Sequence, residues 1–270
     1  MRSVRSQVAR HPVATFFGAS VGLGWILTIA SARLVSDPLV LPLVAIPVSF
    51  VPALVAWLIL RIGGTPEERI AWRGRLTRVR VGWRWYAVAL LALPMTHLVG
   101  VGVAAAAGGS FPFHPGAFAL LPIFLLTNFG EEIGWRGYAL PKLQDRMSPL
   151  SASLVLGVVW GAFHWVALSA NADTPLAYIV VSTLQLTAMS VIMSFVFNGS
   201  GGSVPIVTLM HSMYDTASIG AAPLIETGMP LTAFTMSAVV AWIVAIGLVV
   251  ATGPDLGRRS IGPSGAALKA

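Results

Sequence analysis

The chain contains no cysteine and few charged residues, and both shortages restrict its possible functions. Without cysteine, disulfides, thiolate nucleophiles and thiolate metal sites are all excluded, so a bound metal would need His, Asp, Glu or Asn as ligands. Only 10% of the 270 residues are charged, whereas 56% are hydrophobic. Apolar runs longer than a soluble core helix requires predict an integral membrane protein.

Clear internal repeats are also lacking, which favours one domain over residues 1–270. The predicted fold class is all-α, a polytopic transmembrane helical bundle with about eight spans and a disordered, Gly-rich tail at about 254–270. The predicted spans lie near residues 12–33, 38–60, 85–107, 111–130, 150–170, 175–197, 203–225 and 230–252.

The positive charges predict the orientation of this bundle. With the N-terminus and the C-terminus inside, every lysine and arginine except Arg33 falls in an inner segment. Lys and Arg remain on the cytoplasmic side of membranes, so this N-in, C-in topology explains the charge pattern. The chain is therefore expected to be a multi-pass protein, and its preference for Arg over Lys suits a bacterial inner membrane.

A basic loop between the second and third predicted spans carries seven arginines, from Arg61 to Arg84. Thr65-Pro66-Glu67-Glu68 is typical of a helix start with acidic residues in its first turn. We interpret the loop as an interfacial amphipathic helix whose arginines meet anionic lipid headgroups. Membrane lipids are the expected partners of this charge, and no nucleic acid is needed to explain it.

Three short polar motifs interrupt the apolar runs. Ionisable residues are expensive inside a membrane and indicate function by default. Each motif contains two residues four apart, which lie on one face of a helix; in the first motif these are Glu132 and Arg136. Their estimated depths allow the three motifs to meet in one cavity open to the cytoplasm. The motifs are Glu131-Glu132-x-x-x-Arg136, Trp160-x-x-x-His164 and His211-x-x-x-Asp215.

These residue types suit hydrolysis. Cleavage of a peptide bond needs an activated water and a positive or hydrogen-bonding group for the developing oxyanion. Glu131, in a low-dielectric cavity, is predicted to be the general base. Glu132 is expected to pair with Arg136, orienting the helix end and balancing its charge.

Two roles are open for the histidines. His164 could position the same water, or it could bind a metal together with His211. Two histidines and an oxygen ligand from Asp215 or Glu131 form a plausible hydrolytic set for Zn²⁺ or another divalent cation. No His-Glu-x-x-His string is present. The sequence therefore leaves the metal undecided.

The three motifs, in this order and on separate predicted spans, resemble the intramembrane CAAX-protease and bacteriocin-processing family, also called CPBP or Abi proteins. The resemblance covers about residues 120–220. It implies a proteolytic site formed by Glu131, Glu132, Arg136, His164, His211 and Asp215. Trp160 replaces the commonly found Phe, and Asp215 replaces the Asn of the prenyl-protein proteases, which adds a carboxylate beside His211.

The expected function is an intramembrane endopeptidase that cuts a peptide or protein substrate, with lipid modification of that substrate left open. A proton- or ion-coupled transporter is an alternative use of buried Glu, His and Asp, but it would favour internal repeats and paired broken helices. A non-catalytic immunity or scaffold protein is a further alternative. His97 and Asn128 are expected to form structural hydrogen bonds between helices.

Overall fold

The computed structural model describes residues 8, 10–34, 46–108, 113–169, 174–221 and 230–258. Within these ranges the regular elements are all helical, so the predicted all-α class is confirmed. A membrane favours this result because a helix satisfies its backbone hydrogen bonds within its own segment. The described helices are α1 (Pro12–Leu34), α2 (Ile46–Gly63), α3 (Pro66–Leu76), α4 (Trp83–Gly108), α5 (Pro115–Gln144), α6 (Pro149–Leu168), α7 (Leu176–Gly199), α8 (Val204–Gly220) and α9 (Pro230–Thr252).

Seven of these helices are long and apolar enough to cross a membrane: α1, α2, α4, α5, α6, α7 and α9. They overlap seven of the predicted spans, although α5 continues to Gln144, well past the predicted end at residue 130. The remaining predicted span, 203–225, corresponds to α8, which has 17 residues and many buried side chains. Its predicted end and the start of the span at 38–60 reach outside the described residues. The number of spans and their orientation stay predictions.

Helix α5 packs closely on α2 through two glycines four residues apart. A Cβ at Gly130 would lie 2.7 Å from Cδ2 of Phe50, and one at Gly134 would collide with Pro52. Small residues at this spacing allow two membrane helices to approach each other. Glu131 and Glu132 lie between the two glycines, so this close approach fixes the backbone that carries them.

Helix α8 packs against both α4 and α5 near the middle of the bundle. Helix α4 in turn packs on α9, where Nδ1 of His97 lies 2.9 Å from Oγ of Ser237. The ring of His97 also meets the ring of Tyr214 on α8 edge to face, at 5.2 Å. The structural role expected for His97 is confirmed, because it joins three helices.

The predicted helix start in the basic loop is confirmed. Thr65 accepts a hydrogen bond from the Glu68 amide at 3.2 Å, and Glu68 accepts one from the Thr65 amide at 2.9 Å. This capping box satisfies two amide groups that the first turn of α3 would leave unpaired. The capped helix lies against the irregular part of α5.

Residues 253–258 correct the prediction of a disordered tail from about residue 254. They form a turn in which Leu256 is fully buried and Arg258 donates to the carbonyl of Gln144. Arg258 also pairs with Asp145 at 3.1 Å. A high glycine content concealed these contacts, because glycine also serves tight turns such as Gly253 and Gly257, whose φ values are positive. Residues 259–270 lie outside the described residues.

Candidate active site

The segment after the glutamate pair is a π-helical turn, Trp135–Ala139. The Leu140 amide donates to the carbonyl of Trp135, five residues earlier, so the turn is wider than an α-helical one. Such turns are rare and occur frequently at functional sites. Arg136 lies within it and is fully buried. The sequence predicted a regular helix here.

Glu132, Arg136 and His211 form a buried cluster that joins α5 to α8. Oε1 of Glu132 accepts from Nη1 of Arg136 at 2.9 Å, which confirms the predicted ion pair. The same oxygen lies 3.1 Å from Nδ1 of His211. One carboxylate oxygen thus holds both a guanidinium and an imidazole, and Glu132 and Arg136 are both fully buried. The contact with His211 was not predicted.

Trp160 lies at the centre of the three motifs and is fully buried. The guanidinium of Arg136 lies over its ring, 4.3 Å from the centroid. Cations are attracted to the negative face of an indole, and burial strengthens that attraction. The ring of His211 meets Trp160 edge to face at 5.0 Å, and the ring of His164 does so at 6.0 Å.

Glu131 has one clear partner. Its Oε2 accepts a hydrogen bond from Nε1 of Trp160 at 2.9 Å. Phenylalanine could not make this bond, so the Trp at position 160 does more than supply an aromatic wall. Glu131 is 6% exposed, whereas its neighbour Glu132 is completely enclosed.

His164 is half-buried, and its tautomer follows from a backbone contact. Nδ1 lies 2.9 Å from the carbonyl oxygen of Trp160. A carbonyl only accepts, so Nδ1 carries a proton and, in the neutral ring, Nε2 holds the free lone pair. His164 therefore has a nitrogen available to a water molecule or a substrate.

Asp215 is the most accessible carboxylate of the site, with 28% of its side chain exposed. Its Oδ2 accepts from the amide of Asn128 at 2.7 Å and lies 3.7 Å from Nε2 of His211. The Asn128 amide also reaches Oγ of Ser212 at 3.3 Å. The structural role expected for Asn128 is confirmed, because it ties α5 to α8.

The structure thus brings the predicted site residues together from α5, α6 and α8. A cavity of about 320 Å³ lies between α1 and α6 and is lined by Trp25, Arg33 and Trp165. None of the predicted site residues lines it. We therefore place the site on the side-chain network and not in that cavity. The cytoplasm-facing opening stays a prediction.

The proposed metal set of His164, His211 and Asp215 does not converge in this arrangement. One ring nitrogen of each histidine is held, by Trp160 and by Glu132, so each ring could offer only its other nitrogen to a metal. Among the described residues, no three or more His, Asp or Glu side chains are grouped so that they could hold a metal ion. A metal at this site therefore stays a prediction.

Comparison with known proteins supports the reading of the motifs. Residues 112–217 match the family model described as "Type II CAAX prenyl endopeptidase Rce1-like". The predicted family resemblance is confirmed. The matched residues 112–217 include every predicted site residue, from Glu131 to Asp215.

The chain is also similar to a curated protein, the CAAX prenyl protease 2 of Methanococcus maripaludis. It is 26% identical over 139 residues, which cover 48% of this chain and 51% of the relative. The chain thus matches about half the length of this relative.

Sequence reasoning missed three features that position the site residues. These are the π-helical turn, the hydrogen bond from Trp160 to Glu131 and the bond from His211 to Glu132. The Gly130-x-x-x-Gly134 spacing was visible and could have indicated the close approach of α2 and α5. No comparable local signal marks the π-helical turn.

Proposed function

We propose that this protein is an intramembrane endopeptidase of the CAAX-protease type, with Glu131 as the general base. The observation that carries the proposal is the convergence of Glu131, His164 and His211 around Trp160. A carboxylate with little exposure and a histidine with a free nitrogen suit the activation of water. The family match supports a peptidase.

In the proposed reaction, the second oxygen of Glu131 takes a proton from a water molecule held by Nε2 of His164. The water oxygen then forms a bond to the scissile carbonyl carbon. Nδ1–H of His211 donates to Glu132, so with a second proton on Nε2 the ring is placed to donate a hydrogen bond to the oxyanion. Protonated Glu131 then gives its proton to the amide nitrogen as the C–N bond breaks.

Glu132 and Arg136 are positioning residues in this scheme. Their buried ion pair fixes Nδ1 of His211 and so aims Nε2. No step in the scheme passes through a metal. The proposed substrate is a peptide or protein segment with or without a lipid group, reached from the cytoplasmic side of a bacterial inner membrane. Membrane lipids are proposed to contact the basic surface.

The test compares peptide termini in membranes from cells that express the native chain or Glu131→Ala at matched levels. We expect termini that depend on Glu131, and their sequences would identify the substrate. Identical profiles with a well-covered membrane proteome would contradict proteolysis. Proton-coupled transport would then become the first alternative to measure.

A further inference from the structure

One face of the surface helix α3 points its polar side chains at the irregular part of α5. Nε1 of Trp72 donates to the carbonyl of Ile133 at 3.3 Å, and Nη1 of Arg75 donates to the carbonyl of Gly137 at 3.2 Å. These two donors are three residues apart and therefore lie on the same side of α3. Both join parts of the chain that are more than 60 residues apart.

The two carbonyls flank Arg136 on either side. Ile133 follows the glutamate pair, and Gly137 lies inside the π-helical turn. A π-helical turn shifts the regular ladder of backbone hydrogen bonds, and side chains from outside can bind its carbonyls. Trp72 and Arg75 are thus placed to hold the turn that carries Arg136.

A third contact on the same side of α3 strengthens the attachment. Nζ of Lys142, in the last α-helical turn of α5, donates to Oε1 of Glu68 at 2.6 Å. Glu68 and Trp72 are four residues apart, so the contacts form one stripe along α3. The stripe spans the backbone from Ile133 to Lys142.

The segment after α3 also reaches the helix that carries His211. Oγ of Ser203 donates to the carbonyl of Arg78, and the same Oγ accepts from the amide of Ile206 as the N-cap of α8. The basic surface segment therefore touches the ends of both helices that the Glu132–His211 bond joins. Ordinary packing of an amphipathic helix would need apolar contacts and not donors aimed at these carbonyls.

We propose that α3 is a positioning element for the active site, with Trp72 and Arg75 as its positioning residues. This inference rests on the proposed function only for its effect on catalysis. The hydrogen bonds of Trp72 and Arg75 hold the π-helical turn so that Arg136 and Glu132 keep His211 in place. Neither residue touches the reacting atoms.

The first test measures amide hydrogen exchange and side-chain ¹⁵N signals in the purified full chain. The variants are Trp72→Phe and Arg75→Gln, and the control is Arg73→Gln, because Arg73 lies on the exposed side of α3. We expect amides at 135–140 to exchange roughly fivefold to tenfold faster in the two variants. The His211 imidazole signal should also shift, whereas the control should match the native chain.

This readout needs no substrate, so it stands whether or not the chain proves to be a protease. Arg75→Lys keeps a long charged donor and should retain slow exchange, and Trp72→Phe carries the test if Arg75→Gln does not fold. Exchange and imidazole signals equal to those of Arg73→Gln would overturn the proposal. Faster exchange throughout the chain would overturn it too, because that would indicate a general loss of stability.

A second readout follows if the comparison of peptide termini identifies a substrate and the purified native chain cleaves it. We expect Arg75→Gln to lower kcat about tenfold with KM within about twofold of the native value. A change confined to KM would overturn the positioning role, because it would indicate that α3 binds the substrate.

Discussion

Two neighbouring glutamates have opposite surroundings in this protein. Glu132 is fully enclosed, and one of its oxygens holds both Arg136 and His211. Glu131 retains slight exposure and accepts one described hydrogen bond, from Trp160. Adjacent positions on a helix point in directions about 100° apart, so one residue faces the cluster between α5 and α8 and the other faces Trp160 on α6.

The difference teaches how an apolar helix can carry two carboxylates for separate purposes. A buried carboxylate with charged partners is costly to disturb and suits a structural role. A carboxylate with a free oxygen near a half-buried histidine suits proton transfer. On this account Glu132 maintains the geometry and Glu131 performs the chemistry.

The largest expected effect is on catalysis at Glu131. Glu131→Gln keeps the shape and an acceptor for Trp160 but removes the base, so we expect kcat to fall about a thousandfold. KM should change little, because substrate binding is retained. The measurement is the steady-state cleavage of the substrate identified by its termini. A fall in kcat of less than about tenfold would contradict the role of Glu131. The control is Glu67→Gln, because Glu67 lies on the exposed surface of α3.

The next effect is on stability at Arg136. Arg136→Met leaves Glu132 buried without its guanidinium partner, so we expect the free energy of unfolding to fall by about 3–5 kcal/mol. The double variant Glu132→Gln with Arg136→Met removes both charges and should recover part of that loss. Denaturant unfolding in detergent measures both. If the single and double variants lost the same free energy of unfolding, the unpaired charge of Glu132 would not be the main cause of the loss, which would contradict this prediction.

A smaller effect is expected at Trp160, which contacts both Glu131 and Arg136, the partner of Glu132. Trp160→Phe removes the donor to Glu131 but keeps an aromatic face beneath Arg136. We expect kcat to fall about tenfold, the scale of one hydrogen bond to a charged group, with a minor change in unfolding free energy. A large loss of unfolding free energy with unchanged kcat would contradict this prediction, because Trp160 would then stabilise the fold and not support Glu131.

The smallest effect concerns Glu68, an acidic residue at the surface. Burial raises its pKa, but the hydrogen bonds from Lys142 and the Thr65 amide hold it below the ordinary value of 4.5. The resulting stability is present above the ordinary pKa and is lost as the pH falls through the lowered one. For a pair this exposed it should be less than about 1 kcal/mol.

The check is the difference in unfolding temperature between the native chain and Glu68→Gln from pH 7 to pH 3. We expect a small difference at pH 7 that vanishes at the acidic end. A difference that grows towards low pH would contradict the sign of the Glu68 pKa shift.

The sequence predicted the elements of this fold that depend on composition and helical spacing. Apolar length located seven helices that the structure describes, and the four-residue spacing predicted the Glu132–Arg136 pair. The three motifs also predicted the convergence of α5, α6 and α8. These inferences need only helix geometry and the cost of burying charge.

The features that were missed depend on contacts between distant segments. Nothing local to Arg136 indicates a π-helical turn, because that turn is held by Trp72 and Arg75 from another helix. The bond from His211 to Glu132 depends on the rotation of α8 against α5, which spacing within one helix cannot supply. The sequence predicted that Leu256 lies in a disordered tail, because its burial comes from tertiary packing that the local sequence does not reveal.

The most direct test of the central claim compares Glu131→Gln with Glu132→Gln in the same purified preparation. Each variant is measured for unfolding free energy and for cleavage of the substrate. We predict that Glu131→Gln retains native stability and loses cleavage, whereas Glu132→Gln loses several kcal/mol of stability because Arg136 is left without its buried counter-charge. Native stability in Glu132→Gln, together with a destabilised but active Glu131→Gln, would contradict the division of roles between the two glutamates.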